Sequence, residues 1–334
     1  MKLIYFALFL IVFGCTSKSP KPDSSKSDGP VKIIFDTDMG PDYDDVGAIA
    51  MLYALANKGE CEILATISCD RYPTIAPTIA LFNTYFKNAT VPIGVPSENA
   101  PDQYVKNHWN DSVLSRFGSK EIKDITYPSA VDVYRKILTN EEDQSVTIVT
   151  IGFMSNISDL LKSKPDHYSP LSGYDLVKKK VKNWVTMAGK FPEGKESNVE
   201  KDWKSAQYAF DNWPTPILFS GVEIGNRILT GNKLAYEGST DNPLSWAYRY
   251  NLKTYRHKVD ENKQSWDQTA ILCAVRQPEK YFYVNGPGKF VTLENGYNEW
   301  DPNTNANHYF LTHKYPYQHI ADVIDDLMMF EPRK

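Results

Sequence analysis

Five carboxylates crowd one short stretch of the chain, which reads FDTDMGPDYDD and directly follows the apolar run at 31–35. They are Asp36, Asp38, Asp42, Asp44 and Asp45. Carboxylates held so close together either raise one another's pKa or bind a hard cation, and ligands that offer only oxygen favour calcium or magnesium. The alternative is a solvated acidic turn in which one aspartate caps the helix predicted to begin at residue 44.

Two familiar acidic motifs do not fit this stretch. An EF-hand loop that starts at Asp36 requires Gly at its sixth position and Glu at its twelfth, where the chain has Pro41 and Gly47. A phosphatase-type D-x-D-x-[TV] motif requires a hydroxyl residue or Val where Gly40 stands. Neither an EF-hand nor a phosphoryl-transfer nucleophile is therefore indicated.

The elements that must position these acids follow an alternating pattern. Strands are predicted at 31–35, 61–68, 145–151, 181–187 and 215–220, and helices at 44–58, 73–87, 129–139, 156–163 and 203–212. Continuous apolar strands that alternate with amphipathic helices predict an α/β fold with an open, mostly parallel sheet and helices on both faces. Such Rossmann-like sheets bind ligands at the carboxyl ends of their strands, which is where the acidic stretch lies.

The later part of the chain is less regular. Helices are predicted at 243–256, 267–276 and 317–329, and short strands within 281–294. No internal repeat and no second linker follows Pro30, so we interpret residues 31–334 as a single domain.

The N-terminus resembles a bacterial lipoprotein signal. Met1 and Lys2 precede the apolar stretch 3–13, which is too short to span a bilayer, and Gly14 precedes Cys15. We interpret 1–15 as signal peptide and lipobox, and the Ser-, Lys- and Pro-rich segment 16–30 as a flexible tether. These features predict a membrane-anchored lipoprotein, periplasmic or at the cell surface, that meets the membrane only through its N-terminal lipid. A secretory signal without lipidation is the alternative.

Composition restricts the partners. The 334 residues are 42% hydrophobic and carry a formal net charge of −4, so a nucleic acid polymer is disfavoured as partner and a small molecule is favoured. The remaining cysteines, Cys61, Cys69 and Cys273, have spacings that suit neither a disulfide framework nor a zinc site.

Four segments resemble, in order, the motifs of the calcium-dependent nucleoside hydrolases, the inosine-uridine-preferring family. DTDMGPDYDDVGA (36–48) is similar to the D-x-D-x-G-(x)-D-D-x-x-A motif with two extra residues before the Asp pair. TIGFMSNIS (150–158) resembles G-x-[LM]-[TS]-N, and residues 189–210 resemble G-x-x-x-x-E-x-N-x-x-x-D-x-x-A. SWDQTA (265–270) resembles [HW]-D-x-x-A. Each match is weak alone, but four in sequence order are specific.

The resemblance implies a role for each matching residue. It assigns a calcium ion to Asp38, Asp45, Asp267 and the main-chain carbonyl of Ser155, and the ribose hydroxyls to Asp44, Asn198 and Glu196. Asp38 would also act as general base on a water held at the calcium. Helix capping is the alternative for Glu196, Asn198 and Asp267.

The leaving-group side departs from the common family pattern. Trp266 stands where many members have a histidine that protonates the base, and an indole cannot supply that proton. The resemblance to the purine-preferring branch implies that Trp266 stacks on the base, with Asp70 near the base and Trp109 as a second stacking partner on a mobile loop. The alternatives are a core aromatic for Trp266, a turn residue for Asp70 and a loop residue for Trp109.

The resemblance implies an N-glycosyl hydrolase that cleaves ribonucleosides, with purine nucleosides favoured, to free base and ribose. One alternative is hydrolysis of another N-ribosyl or glycosyl compound, and another is a calcium-dependent nucleoside- or sugar-binding lipoprotein without turnover. Family members are commonly dimers or tetramers, so a homo-oligomer is also expected, although no interface can be identified in the sequence.

Overall fold

The computed structural model describes residues 29–254 and 261–333. The predicted signal peptide, 1–15, and nearly all of the predicted tether, 16–30, lie outside the described residues. Among the helices that are described, none has the length and apolar character needed to cross a membrane.

The strands form one large sheet and one small ribbon. They are β1 Val31–Thr37, β2 Cys61–Ser68, β3 Ile93–Gly94, β4 Val146–Thr150, β5 Val181–Met187, β6 Glu193–Lys195, β7 Ile217–Ser220, β8 Leu229–Thr230, β9 Lys263–Gln264, β10 Phe282–Thr292, β11 Tyr297–Asp301 and β12 His308–His313. The large sheet has the order β3-β2-β1-β4-β5-β7-β12-β10-β11-β6, and β8 pairs with β9. Pairing is parallel from β3 to β12 and antiparallel from β12 through β10 and β11 to β6.

Helices connect the parallel strands and cover both faces of the sheet. They are α1 Asp44–Asn57, α2 Ile75–Tyr85, α3 Trp109–Phe117, α4 Lys120–Lys123, α5 Ala130–Asn140, α6 Ser155–Lys162, α7 Gly173–Lys180, α8 Ser197–Lys201, α9 Trp203–Asn212, α10 Val222–Gly225, α11 Asn232–Glu237, α12 Pro243–Thr254, α13 Trp266–Val275 and α14 Tyr317–Met328. The mostly parallel α/β sheet predicted from the sequence is confirmed.

The central strand β1 shows why the sheet needs two helical layers. Ile33 and Phe35 point into a core that contains residues of α1, α2, α12, α13 and α14. Ile34, between them, belongs to a second core built with α5, α6, α7 and α9. Successive side chains of a strand point to opposite faces, so the consecutive apolar residues 33–35 require cover on both sides of the sheet.

The C-terminal part differs from the prediction in its strands. The short strands expected within 281–294 are one strand, β10, whose pairing with β12 shifts between Asn285 and Gly288, where Pro287 has no N–H to donate. β11, β12 and β6 were not predicted. β6 and β11 contain Glu, Lys or Asn and no apolar run, and the apolar part of β12 is only three residues long; all three strands are defined by pairing partners distant in sequence.

Candidate active site

A cleft opens at the carboxyl ends of the central parallel strands. Its wall includes Asp38 after β1, Ile151 after β4, Met187 at the end of β5 and Val222 after β7. The cavity holds about 280 Å³, close to the lower end of the ~300–1,000 Å³ that is usual for small-molecule sites. The acidic stretch therefore lies at the ligand-binding edge of the sheet, as the sequence predicted.

Three carboxylates converge on one wall of the cleft. Asp44, Asp45 and Asp267 are buried, and each offers a carboxylate oxygen within 4.8 Å of the others. Asp44 and Asp45 are the first residues of α1, and Asp267 is the second residue of α13, which packs against α1. The main-chain N–H of Asp267 donates to Oδ2 of Asp44 at 3.3 Å, so the two helix N-termini are joined directly.

Asp38 and the loop after β1 complete this wall. The Asp38 carboxyl is hydrogen-bonded to that of Asp45 and is 8% exposed. Asp45 also accepts hydrogen bonds from the Thr37 hydroxyl and from the main-chain N–H of Met39. Gly152 is needed here because a Cβ at that position would lie 2.7 Å from the Asp38 nitrogen and 2.5 Å from Sγ of Cys69.

The buried carboxyls of this wall hold protons more firmly than free ones. Burial is the main cause, and it raises the pKa of Asp44 to about 6 and that of Asp45 to about 7. Burial, together with the neighbouring carboxylates, also raises the pKa values of Asp38 and Asp267 well above their ordinary range. Like charges placed this close repel one another, so the cluster favours either protons or a cation.

The donor set fits a divalent metal ion. All three converging side chains are carboxylates with low exposure, which suits the oxygen preference of calcium or magnesium. A cation placed among them would replace the protons and relieve the repulsion that raises their pKa values. The cluster contains Asp44, to which the sequence assigned ribose binding, as well as the predicted ligands Asp45 and Asp267.

Glu196 and Asn198 also line the cleft, at the start of α8. The Glu196 carboxylate caps that helix, because it accepts hydrogen bonds from the main-chain N–H groups of Asn198 and Val199, and it also binds the N–H of Gly189. Burial raises the pKa of Glu196 to about 7. Helix capping and a position on the cleft wall are thus combined in one side chain.

Asn198 is oriented by the ends of two central strands. Its Nδ2 donates to the carbonyl of Ile151 at 3.1 Å and to that of Met187 at 3.2 Å. These two bonds use both N–H groups of the amide and fix its plane at the carboxyl edge of the sheet. The side chain is therefore held before any ligand arrives.

Trp266 also lines the cleft. Its Nε1 donates to the carbonyl of Val222 at 2.9 Å and to Oδ1 of Asn226 at 3.0 Å. Close packing against Gly225, where a Cβ would lie 2.4 Å from Cα of Trp266, fixes the start of α13. The indole is therefore anchored at its edge and partly exposed on the wall.

Lys263 is a residue of this site that the sequence analysis missed. Its side chain is fully buried in β9, with Nζ 2.9 Å from Oδ2 of Asp42 and 3.6 Å from Oδ1 of Asp44. Burial lowers the pKa of Lys263, but the carboxylates of Asp42 and Asp44 raise it above its ordinary value overall. The only sequence signal was the placement of a lysine three residues before Trp266 in the polar run 260–265.

Three residues predicted for the site have side chains that are not among those lining the cleft. Trp109 is not an exposed stacking residue: it begins α3, is fully buried, and donates from Nε1 to the carbonyl of Asp42 at 3.0 Å. Asp70 lies in a turn after β2, where it accepts hydrogen bonds from the main-chain N–H groups of Tyr72 and Gln103. Ser155 begins α6, and its main-chain N–H donates to the Asp202 carboxylate.

The reason for the Trp109 correction is packing. A large indole gains more from burial in the core than from exposure on a loop, and its N–H has a partner in the Asp42 carbonyl. Trp109 therefore supports the loop that carries Asp42. The hydrogen bonds of Asp70 agree with the alternative interpretation of this residue, that of a turn residue.

Comparisons with known proteins agree with this fold. A family model described as "Inosine-uridine preferring nucleoside hydrolase" matches residues 33–313. A plant nucleoside hydrolase structure has 17% identity and a TM-score of 0.68, covering 90% of this chain and 99% of its own. An inosine-guanosine nucleoside hydrolase has 16% identity and a TM-score of 0.69, covering 89% and 98%.

A third solved structure, a purine-preferring ribonucleoside hydrolase from Gardnerella vaginalis, has 16% identity and a TM-score of 0.64, covering 89% of this chain and 99% of its own. A search of curated protein sequences found no match. At these identities the solved structures show a common fold, whereas the family model spans most of the chain. The chain therefore belongs to the inosine-uridine preferring nucleoside hydrolase family and is an N-glycosyl hydrolase.

Proposed function

We propose that this nucleoside hydrolase acts on ribonucleosides, with purine nucleosides preferred, and that it uses a calcium ion with Asp38 as general base. The proposal is carried by the convergence of Asp44, Asp45 and Asp267 beside Asp38 in a single cleft. Hydrolysis of an N-glycosidic bond requires a water on one face of the sugar, stabilisation of a sugar that develops positive charge, and departure of the base. Each requirement corresponds to one part of the cleft.

The metal would be held by Asp38, Asp45, Asp267 and the carbonyl of Ser155, with Asp44 close enough to share in binding. When bound, calcium would orient a water and the ribose 2′- and 3′-hydroxyls and would favour the ionised form of the surrounding carboxylates. Asp38 is proposed as the proton acceptor because its carboxyl borders the cluster and still faces the cleft.

Ribose would be positioned by the acid cluster together with residues at the start of α8. Asp44 offers a carboxylate on the wall of the acid cluster, and Asn198 offers the carbonyl oxygen of an amide whose two N–H groups are already bound. Glu196 lies beside Asn198 and is proposed to bind on the 5′-hydroxyl side. Both Glu196 and Asn198 are fixed by main-chain contacts. Little side-chain conformational entropy is therefore lost when ribose binds.

Trp266 is proposed to stack on the departing base. The Nζ of Lys263 lies 3.8 Å from the centroid of the indole, on the buried side of the ring. An ammonium there opposes a second positive charge on the other face of the ring. We therefore assign Trp266 a role in holding the base by stacking, with no role in stabilising a protonated base.

The test is the release of reducing sugar from inosine, uridine and nicotinamide riboside, with and without a chelator. The proposal expects release from inosine faster than from uridine, lost on chelation and restored by calcium. Calcium-dependent binding of nucleosides without release would identify the non-catalytic alternative.

Hydrolysis of a different N-ribosyl compound is the second candidate, and the position of Trp266 favours it. Nicotinamide leaves its riboside as a neutral molecule and needs no proton, so a stacking indole in place of a histidine suffices for that leaving group. Release from nicotinamide riboside alone would support this candidate over the first.

We further propose that the mature protein is a lipoprotein attached through Cys15, with residues 16–30 as tether. Labelled palmitate should be incorporated into the expressed protein and lost in Cys15→Ser, and that variant should leave the membrane fraction. Labelling that persists in Cys15→Ser would contradict the proposed anchor.

A further inference from the structure

A buried ammonium lies directly behind the acidic wall of the cleft. Lys263 has no exposed surface, and its β9 strand is held by antiparallel pairing of Lys263 with Thr230. Its Nζ lies 2.9 Å from Oδ2 of Asp42 and 3.6 Å from Oδ1 of Asp44. Both carboxylates line the cleft, whereas Lys263 reaches them from the side away from solvent.

The same ammonium contacts two aromatic rings. It lies 3.8 Å from the centroid of Trp266 and 5.5 Å from that of Tyr43. A cation over an indole face at this distance makes a favourable interaction, and the burial of Lys263 strengthens it. Lys263 therefore connects the residue proposed to bind ribose, Asp44, with the residue proposed to stack on the base, Trp266.

Asp42, the nearest carboxylate to Lys263, lies in the part of the acidic motif that departs from the family pattern. It belongs to the two extra residues that separate the first two aspartates of the motif from the Asp44–Asp45 pair. Its Oδ2 is the nearest carboxylate oxygen to Nζ of Lys263. The additional acid and the buried lysine compensate each other at the edge of the metal cluster.

We propose that Lys263 is a positioning residue that holds the Asp44 carboxylate and the Trp266 ring in place and lowers the affinity of the site for a divalent cation. This inference rests on the proposed function, because it concerns the cation and the substrate contacts assigned there. Its distinctive consequence is that metal affinity and substrate binding respond in opposite directions to loss of the lysine charge.

The direction follows from charge. Lys263→Met puts an uncharged, unbranched side chain in place of the lysine. It removes a positive charge that repels a cation among Asp44, Asp45 and Asp267. At the short range and low exposure seen here, we expect calcium to bind about tenfold more tightly or better. Asp44 and Trp266 lose their common partner, so KM for purine nucleosides should rise several-fold in the same variant.

The test is isothermal titration calorimetry of calcium on chelator-treated full-length protein, with KM and kcat measured in parallel. Asp42→Asn removes one negative charge and should weaken calcium binding, and Lys263→Met with Asp42→Asn should return the affinity close to that of the unmodified protein. Lys233→Met, which removes an exposed lysine paired with Asp326 on the surface, is the matched control and should change neither quantity.

The outcomes separate positioning from simple packing. Weaker calcium binding in Lys263→Met, or equal weakening in both single variants, would mean that the lysine only fills space and would overturn the inference. If Lys263→Met does not fold, Asp42→Asn decides: weaker calcium binding supports the inference, and unchanged or tighter binding overturns it. Absence of calcium binding in the unmodified protein would overturn the proposed function as well, whereas unchanged affinity in the variants overturns only the inference.

Discussion

We expect the buried carboxyls of the cleft to make the metal-free protein less stable as the pH rises. Burial raises the pKa of Asp45 from 3.8 to about 7 and that of Asp44 to about 6, so the folded protein binds protons that the unfolded chain releases. A raised folded-state pKa gives stability that is complete below the unfolded value and is lost as the pH rises through the folded value. The melting temperature of chelator-treated protein should therefore fall between about pH 4 and pH 7.

Asp45 alone sets the scale of this decline. At about 1.4 kcal/mol for each pH unit between the unfolded and folded pKa, it contributes roughly 4 kcal/mol. Because the carboxyls of the cluster interact, their contributions to the free energy of unfolding do not add. We therefore use the Asp45 contribution for the whole cluster. With an unfolding entropy of about 2.1 cal/mol/K per residue, this loss of stability lowers the melting temperature by about 6 °C for a chain of this size.

Calcium should oppose the decline because it binds the ionised carboxylates. The increase in melting temperature on adding calcium should therefore grow from pH 5 to pH 8, as measured by scanning calorimetry. Asp45→Asn should flatten the decline in the metal-free protein, while Glu62→Gln, on an exposed position of β2, should leave it unchanged. A flat or rising melting temperature in the metal-free protein would refute the assignment of the cluster as buried and cation-dependent.

Three further predictions concern individual side chains. Asp38→Ala should lower kcat by roughly 10²–10⁴-fold while calorimetry still detects calcium binding, and full activity would contradict its role as base. Trp266→Ala should lower kcat/KM for inosine more than for uridine, and an equal loss on both would contradict stacking. Trp109→Phe should cost about 1 kcal/mol of stability, measured by urea unfolding, through loss of the hydrogen bond to the Asp42 carbonyl. The same variant should leave the ratio of inosine to uridine hydrolysis unchanged. A changed ratio would support a contact between Trp109 and the substrate.

The parallel half of the fold could be predicted because its signals are local. β1, β2, β4 and β5 are apolar runs bounded by helical periodicity, so their type and order follow from burial on both faces of the sheet. The position of the acidic stretch at the strand ends follows from the same reasoning. Glu196 and Asn198 could be placed on the cleft by their motif, and the structure adds that Glu196 also caps α8.

The remaining features depend on contacts between distant parts of the chain. Lys263 becomes part of the acidic wall only because β9 pairs with β8 and brings its Nζ to Asp42, more than two hundred residues earlier. The residues around Trp109 in the sequence have the composition of a loop. Its burial depends on contact with the loop that carries Asp42, which is distant in the sequence. Neither contact has a local pattern in the sequence that would predict it.

The placement of the acid cluster at two helix N-termini reduces the electrostatic cost of bringing its carboxyls together before a cation binds. Asp44 and Asp45 lie in the first turn of α1, and Asp267 lies in the first turn of α13. Each helix N-terminus carries roughly half a positive charge, and Lys263 adds a full charge at 3.6 Å from Asp44. These fixed charges hold the carboxylates in their converged arrangement, so the packing of α1 against α13 controls the distances between the metal-binding oxygens. A substitution at that helix contact should therefore change calcium affinity without altering any ligand.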